Sequence, residues 1–548
     1  MGHSDSAPLL RTSGRPGAGR AGPPLLVVGA AYIALGLWAI QSYVQQMNPD
    51  GISHISIARK YWAGDLGAAI NAYWSPFYSW LLAPFLGAGI VPGLATKVLA
   101  LVLGLVLLLG VWQIARQLGL GLWTAALVCV ALVPVTLDLG MTMITSDLLA
   151  TTMVVLYLVV MTKPEGLVTR RDAIAAGLLG GLAYLAKSYM LGLFVVHYTA
   201  VMLWRLRVLQ ESRRRHLALA AASFATCGVI VAAWTSALSL KYDRFIMGSA
   251  GAYNHALHHP IERGHPHHID GLQRPPNATA VSAWEDPTYT AIHGWSPFAS
   301  TRNLLHQLRR MHENARSTIV ALQWYSLLSI GIVFAALLFA GGRLEPGPGK
   351  PLLVLLLAVL IQPLGYLLFQ VTARYLAPTA VGLCLIGAFL VSRSRWLPAG
   401  TLRSTAALVL LCASFAVEPA QSLWRQRGMG QLDHTRSVAL QGVIPRGSRV
   451  ASNTQWARTM RISLDQGLRY FGELQPGITA GAALDQLDRH GINYYIVWES
   501  GPEMPFTRAW DEVSNARLPE VRIYRVEEAE DSVVPNGETA GPSNRGER

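Results

Sequence analysis

Long uncharged apolar runs alternate with short polar, arginine-rich stretches over most of this chain. A run of roughly 20 mostly apolar residues suffices for a helix to cross a bilayer. Eleven spans are predicted: Pro24–Tyr43, Leu94–Ala115, Leu122–Leu137, Thr145–Met161, Ala173–Ala186, Met190–Trp204, Leu217–Leu240, Thr318–Ala340, Leu352–Phe369, Leu376–Val391 and Thr405–Val417. Some are short, and the pair flanking Ala186-Lys187-Ser188-Tyr189 needs a tight turn between them. The first run is too long for the apolar core of a cleavable signal peptide and lacks small residues at a cleavage site, so it reads as a retained anchor. Past Glu418 the pattern changes. Strand-like runs occur at Arg449–Ser452, Tyr494–Trp498 and Arg522–Val526, with a helical run at 482–489 before the second. The expected organisation is a tail over 1–23, a membrane domain over 24–417 with outer loops 45–93 and 241–317, a small α/β domain over 418–527, and a disordered tail over 528–548.

Charge then orients the spans. The 548 residues carry a formal net charge of +13, which on its own admits a nucleic-acid-binding protein. Lys and Arg in short loops stay cytoplasmic, however, and the alternation places the N-terminus inside and the C-terminus outside. The predicted inner segments then hold 17 Lys/Arg and 5 Asp/Glu, a net +12, which leaves +1 for everything else. The excess charge therefore reports orientation, and no nucleic-acid partner is expected. All 4 Cys fall in apolar spans, which excludes a disulfide scaffold. Six Lys against 39 Arg suggests a GC-rich genome, hence a bacterial inner membrane.

The middle of every span is free of Asp, Glu, Lys and Arg. Mid-membrane charges usually mark ion or proton pathways, and coupled transporters more often carry polar residues or broken helices there. Lys97, Asp138, Asp147, Lys187, Arg374 and Glu418 sit instead at span ends, all on the predicted outer side. In the first outer loop, Asn48-Pro49-Asp50-Gly51 is a turn signal. Ile52, Ile55, Ile57, Ala58, Tyr61 and Trp62 come next at helical spacing, predicting an amphipathic helix on the membrane surface with Arg59 and Lys60 toward headgroups.

An Asp just after the first span, then Ile57-Ala58-Arg59 and Gly64, then an aromatic-x-Pro-x-Tyr at 74–78, resembles the polytopic glycosyltransferases of the GT-C fold. More narrowly, it is similar to the branch of protein O-mannosyltransferases, lipid A aminoarabinose transferases and bacterial relatives. Thr145-Ser146-Asp147, the Gly181–Lys187 run and Arg374-Tyr375-Leu376-Ala377-Pro378 add to the pattern. Many relatives carry two adjacent acids where this chain has Asp50-Gly51, which weakens a metal held by an acidic pair. No cofactor is firmly predicted, and a divalent metal remains open.

The resemblance implies transfer of a sugar from a polyprenyl-phosphate donor, of undecaprenyl type in a bacterium, to a glycan, lipid or protein hydroxyl outside the cytoplasm. Asp50 is then the candidate general base. On the residue pattern alone it is as readily turn chemistry before a helix. Arg374, Lys187 and Tyr375 are the candidate lipid-phosphate ligands, against a reading of the cations as snorkelling and of the tyrosine as part of an aromatic belt. Asp147, His54, Trp74 and Tyr78 are candidate substrate contacts, and Ser146-Asp147 is also a fitting helix cap. The His-rich stretch 255–268 could bind a transition metal or be a solvated loop over the site, where Trp284, Tyr289 and Trp295 could stack on sugar rings. A transporter or flippase of lipid-linked glycans is the alternative function.

Overall fold

A computed structural model describes residues 22–164, 169–208, 213–260, 271–290, 294–343, 351–398 and 400–526. The predicted disordered tails fall outside these residues, apart from 22 and 23. Helix α1 (Pro23–Tyr43) opens on a proline pair, where the missing N–H costs nothing. It is followed by α2 (Pro49–Trp62), α3 (Leu66–Ala69) and α4 (Phe77–Gly87). The apolar runs then form α5 (Pro92–Gln117), α6 (Leu122–Met141), α7 (Asp147–Met161), α8 (Arg170–Ala186), α9 (Met190–Val208) and α10 (Arg213–Tyr242). After α11 (Ala250–Ala256) come α12 (Thr301–Tyr325), α13 (Ser329–Arg343), α14 (Pro351–Ile361), α15 (Ala377–Arg393) and α16 (Leu402–Arg425).

Among the described residues, seven helical segments are long and apolar enough to cross a membrane, and an eighth counts if α12 and α13 form one bent span. The chain is thus a multi-pass membrane protein. Small residues allow tight packing: a Cβ at Gly177 of α8 would lie 2.1 Å from the Ser223 carbonyl oxygen of α10.

Two expectations are corrected. The run Thr318–Ala340 is not one straight span, because α12 and α13 meet at 99°. Ser326 is extended there, and its hydroxyl bonds to Ser414 and accepts from the Leu328 N–H, which ends one helix and starts the next. Helix α2 is not an exposed amphipathic helix with both Arg59 and Lys60 turned outward: of the two, only Arg59 is exposed. Residues 51–58 are all buried, and Lys60 turns inward to pair with Glu285. Its burial was hidden because the polar partner lies 225 residues away.

The C-terminal part adds α17 (Gln431–Ala439), β1 (Arg449–Ser452), α18 (Trp456–Gln466), β2 (Arg469–Glu473), α19 (Ala480–Arg489), β3 (Tyr494–Trp498) and β4 (Val521–Arg525). The sheet order is β2-β1-β3-β4. Strand β1 is parallel to β2 and β3, and β4 is antiparallel to β3. The two parallel steps are joined by α18 and α19, as parallel pairing requires. Val450, Tyr470, Ile496 and Ile523 join the core that continues into the helical bundle. Ala451, Phe471 and Tyr495 pack with Ala483 and Leu487 of α19. The segment before Trp284 is tied to the sheet edge: the Tyr470 N–H donates to the Val281 carbonyl at 2.7 Å and the Gln273 N–H to the Phe471 carbonyl at 2.6 Å.

Candidate active site

Four charged side chains meet where α2 and α7 begin, α8 ends and α15 is about to start. Asp50 lies in the first turn of α2, Asp147 in the first turn of α7, and Lys187 just past α8. Arg374 belongs to a single 3-10 turn, Ala373–Leu376, which leads into α15. Neither acid caps its helix through its side chain. The Asn48 side chain, at the cap position of α2, accepts instead from the Ile144 N–H at 2.8 Å. Both carboxylates are therefore directed to the cations.

Arg374 bridges the two acids. Its Nη2 is 3.2 Å from Asp50 Oδ2 and its Nε 3.4 Å from Asp147 Oδ2. Lys187 Nζ lies 2.5 Å from Asp147 Oδ1, and Thr145 Oγ1 donates to Asp147 Oδ2 at 3.0 Å. The second Asp50 oxygen accepts from Trp284 Nε1 at 3.2 Å. Lys187 also sits 3.7 Å above the Tyr375 ring, a cation–π contact. Tyr375 stacks on Tyr366, and Tyr366 on Tyr189. Gln362 fixes this arrangement by donating to the Tyr375 carbonyl at 2.6 Å and accepting from Thr379 Oγ1 at 2.7 Å.

Trp284 is held from both sides. Its carbonyl accepts from Trp74 Nε1 at 3.0 Å and from Ser53 Oγ at 3.2 Å. Next to it, Glu285 is 1% exposed, pairs with Lys60, and offers its carbonyl to Asn71 Nδ2 at 2.6 Å. On the far side, Asp286 accepts from Tyr242 Oη at 2.5 Å, with Lys241 Nζ at 3.8 Å. Burial pushes the Asp286 carboxyl above the usual carboxylate range, against the hydrogen bonds from Tyr242 and Thr288.

A cavity of about 570 Å³ opens over the quartet. Of the sequence-predicted site residues, Asp50, His54, Trp74, Asp147, Lys187, Arg374 and Tyr375 line it. Tyr78 does not. It is buried behind His54, with ring centroids 5.0 Å apart, because the turn at Pro76 directs α4 into the core. His54 Nδ1 lies 3.2 Å from Ser79 Oγ, and its buried Nε2 has no hydrogen-bond partner among the described residues. Burial pushes the His54 pKa down to about 4, partly opposed by Asp147, so the ring is neutral at pH 7.

The roles of Trp284, Tyr366 and Glu285 in building the site were not legible in sequence. Trp284 was expected to stack on sugars, and its bond to Asp50 spans 234 residues. Within the His-rich stretch, His255 stacks on Trp295 and bonds to Gln307, while His258 packs against Arg310. His265, His267 and His268 lie outside the described residues. Among the described residues no group of three or more His, Cys, Asp or Glu is placed to hold a metal ion.

No family model and no curated protein matches the chain. Solved structures do. ArnT from Cupriavidus metallidurans in the apo state aligns with a TM-score of 0.56 at 13% identity, over 91% of this chain and 97% of that one. The same protein bound to undecaprenyl phosphate aligns with a TM-score of 0.56 at 12% identity, over 90% and 97%. The mycobacterial arabinofuranosyltransferase AftD gives a TM-score of 0.46 at 14% identity, over 92% of this chain and 40% of that one. The chain thus has the GT-C fold of ArnT, with the small sheet region placed C-terminally as the resemblance implied.

Proposed function

We propose that this protein is a membrane glycosyltransferase that moves a sugar from a polyprenyl-phosphate donor to an acceptor hydroxyl. The observation that carries the reading is Arg374 shared between Asp50 and Asp147 beside Lys187, in a cavity of a fold whose ArnT example has been solved with undecaprenyl phosphate. Two cations beside each other suit a phosphate, and the guanidinium fork matches its oxygens.

In the proposed step, the donor phosphate takes over hydrogen bonds from Arg374, which frees Asp50. The acceptor oxygen attacks the anomeric carbon while Asp50 takes its proton. The bond from that carbon to the phosphate oxygen breaks, and its electron pair leaves on the phosphate, giving polyprenyl phosphate. Arg374 and Lys187 stabilise the charge that develops there. Tyr375 supports Lys187 through the face of its ring. His54, Trp74 and Asp147 line the space for the sugar. His54 Nε2, neutral and without a protein partner among the described residues, is suited to a sugar hydroxyl. The quartet belongs on the extracytoplasmic side of a bacterial inner membrane, a sidedness supported by the predicted loop charges. The sheet region over 418–527 is proposed as an extracytoplasmic domain that supports the Trp284 loop.

The test is transfer of a labelled sugar from purified polyprenyl-phosphate donors in detergent. Asp50→Asn is expected to abolish transfer, by at least about 10²-fold for a positioned base, while the protein stays folded by gel filtration. Near-wild-type transfer by that variant removes Asp50 from the role.

A further inference from the structure

Helix α12 is amphipathic in an unusual sense: the first half of its buried face is polar, with Gln307 and Asn314, and only the second half, with Ala321, Leu322 and Tyr325, is mostly apolar. Gln307 donates to the Leu368 carbonyl at 3.1 Å, and Asn314 to the Leu367 and Phe369 carbonyls at 2.9 and 3.1 Å. The outward face is apolar along one side. Leu304, Leu305, Leu308 and Ile319 are 41%, 62%, 51% and 45% exposed. Along the other side, Arg302, Arg309 and Arg316 recur every seven residues, about two helical turns, so they fall on one line. The helix holds four arginines against one acid, Glu313, which bonds to Arg309 and Arg310.

The 99° bend to α13 decides what this face meets. Helix α13 is apolar, with Phe334 and Leu338 exposed 64% and 78%, as expected of a surface against lipid. If α13 follows the bilayer normal, α12 lies in the membrane plane. An apolar stripe beside a line of cations, parallel to the membrane, is the pattern of an interfacial helix. We infer that α12 lies in the headgroup layer on the cavity's side of the bilayer and binds anionic phospholipid headgroups through Arg302, Arg309 and Arg316. Leucine side chains enter the acyl region, and the guanidinium groups reach lipid phosphates. Charge complementarity selects an anionic partner, because Glu313, the one acid of the helix, is shared between Arg309 of the line and Arg310 off it, which leaves Arg302 and Arg316 of the line with no carboxylate on this helix. The polar face meanwhile holds the segment 367–373 that precedes Arg374, so the lipid-bound helix also braces that turn.

Photoreactive phosphatidylglycerol, a minority component in phosphatidylcholine vesicles, tests the inference on the full-length protein. Crosslinks are expected on peptides covering 302–320, reduced by excess unlabelled phosphatidylglycerol but not by phosphatidylcholine. The R302Q/R309Q/R316Q variant should lose at least about fivefold of this labelling, the factor expected for one basic residue near an anionic surface. R302K/R309K/R316K should retain most of it. Should the glutamine variant not fold, salt takes its place: high ionic strength is expected to erase the preference for the anionic lipid. Equal labelling by a phosphatidylcholine probe, unchanged labelling in the glutamine variant, salt-insensitive preference, or crosslinks confined to other segments each overturn the inference.

Discussion

Arg374 contacts two carboxylates, and the two contacts differ in exposure. The Asp147 side chain is 5% exposed and that of Asp50 18%, so on the proposed reaction Asp50 is the partner that a donor phosphate would displace more readily. Arg374→Ala removes charge-assisted hydrogen bonds of about 1.5–3 kcal/mol. It is expected to raise the KM for the lipid donor roughly 10- to 100-fold, measured by donor titration in the transfer assay. An unchanged KM excludes Arg374 as a phosphate ligand. His54 gives a prediction in pH. Its folded pKa of about 4 lies below the ordinary 6.5, so the unfolded chain binds the proton first. Stability from this group is present above about pH 6.5 and is lost as pH falls toward 4, amounting to about 3 kcal/mol at the low end. The Tm of wild type should therefore drop more steeply than that of His54→Asn between these values, and parallel curves would remove the assignment. The charged quartet was legible in sequence because a charge at the end of an apolar run has few roles. Trp284 was not, since nothing local to it signals the carboxylate it reaches.

Helices α5, α6 and α10 arise directly from their apolar runs, and the tight turn at Lys187 between α8 and α9 is found where it was expected. The bend after α12 escaped because hydropathy averages over Ser326, and only its hydrogen bonds reveal the break. Strand β2 escaped for a different reason. Arg469-Tyr470-Phe471-Gly472-Glu473 has a glycine within a short run and is recognisable only beside its partner β1. The polar face of α12 carries its own expectation. Asn314→Leu keeps the helix but strips the Leu367 and Phe369 carbonyls of their donor, at a cost of about 1–3 kcal/mol. Because these carbonyls precede the Arg374 turn, donor KM should rise while Asp50-dependent chemistry persists. Loss of stability with KM unchanged would show that α12 braces the fold without setting the turn.

Across the whole molecule, the sequence conveyed the layout of apolar runs and the gathering of Asp50, Asp147, Lys187 and Arg374 at the ends of helices. It did not convey that residues 271–290 fasten the sheet to the cavity wall, a contact between segments nearly 200 residues apart, as between Asn277 and Arg469. One guanidinium serving two acids also sets the charge balance of the cavity as a whole. Asp50, Asp147, Lys187 and Arg374 sum to zero before a donor enters. On the proposed reaction a phosphodiester brings one negative charge, and transfer adds none, because the proton gained by Asp50 balances the second charge gained by the phosphate. The imbalance arrives one step later. Once Asp50 loses that proton, a dianionic phosphate faces two carboxylates with the same two cations. On that reaction the product complex then carries one more uncompensated negative charge than the donor complex, which favours release of the spent carrier. Asp50→Asn, which removes one of the two carboxylates, is accordingly expected to bind added polyprenyl phosphate more tightly than wild type does. A dissociation constant that is unchanged or raised in that variant would rule this charge balance out.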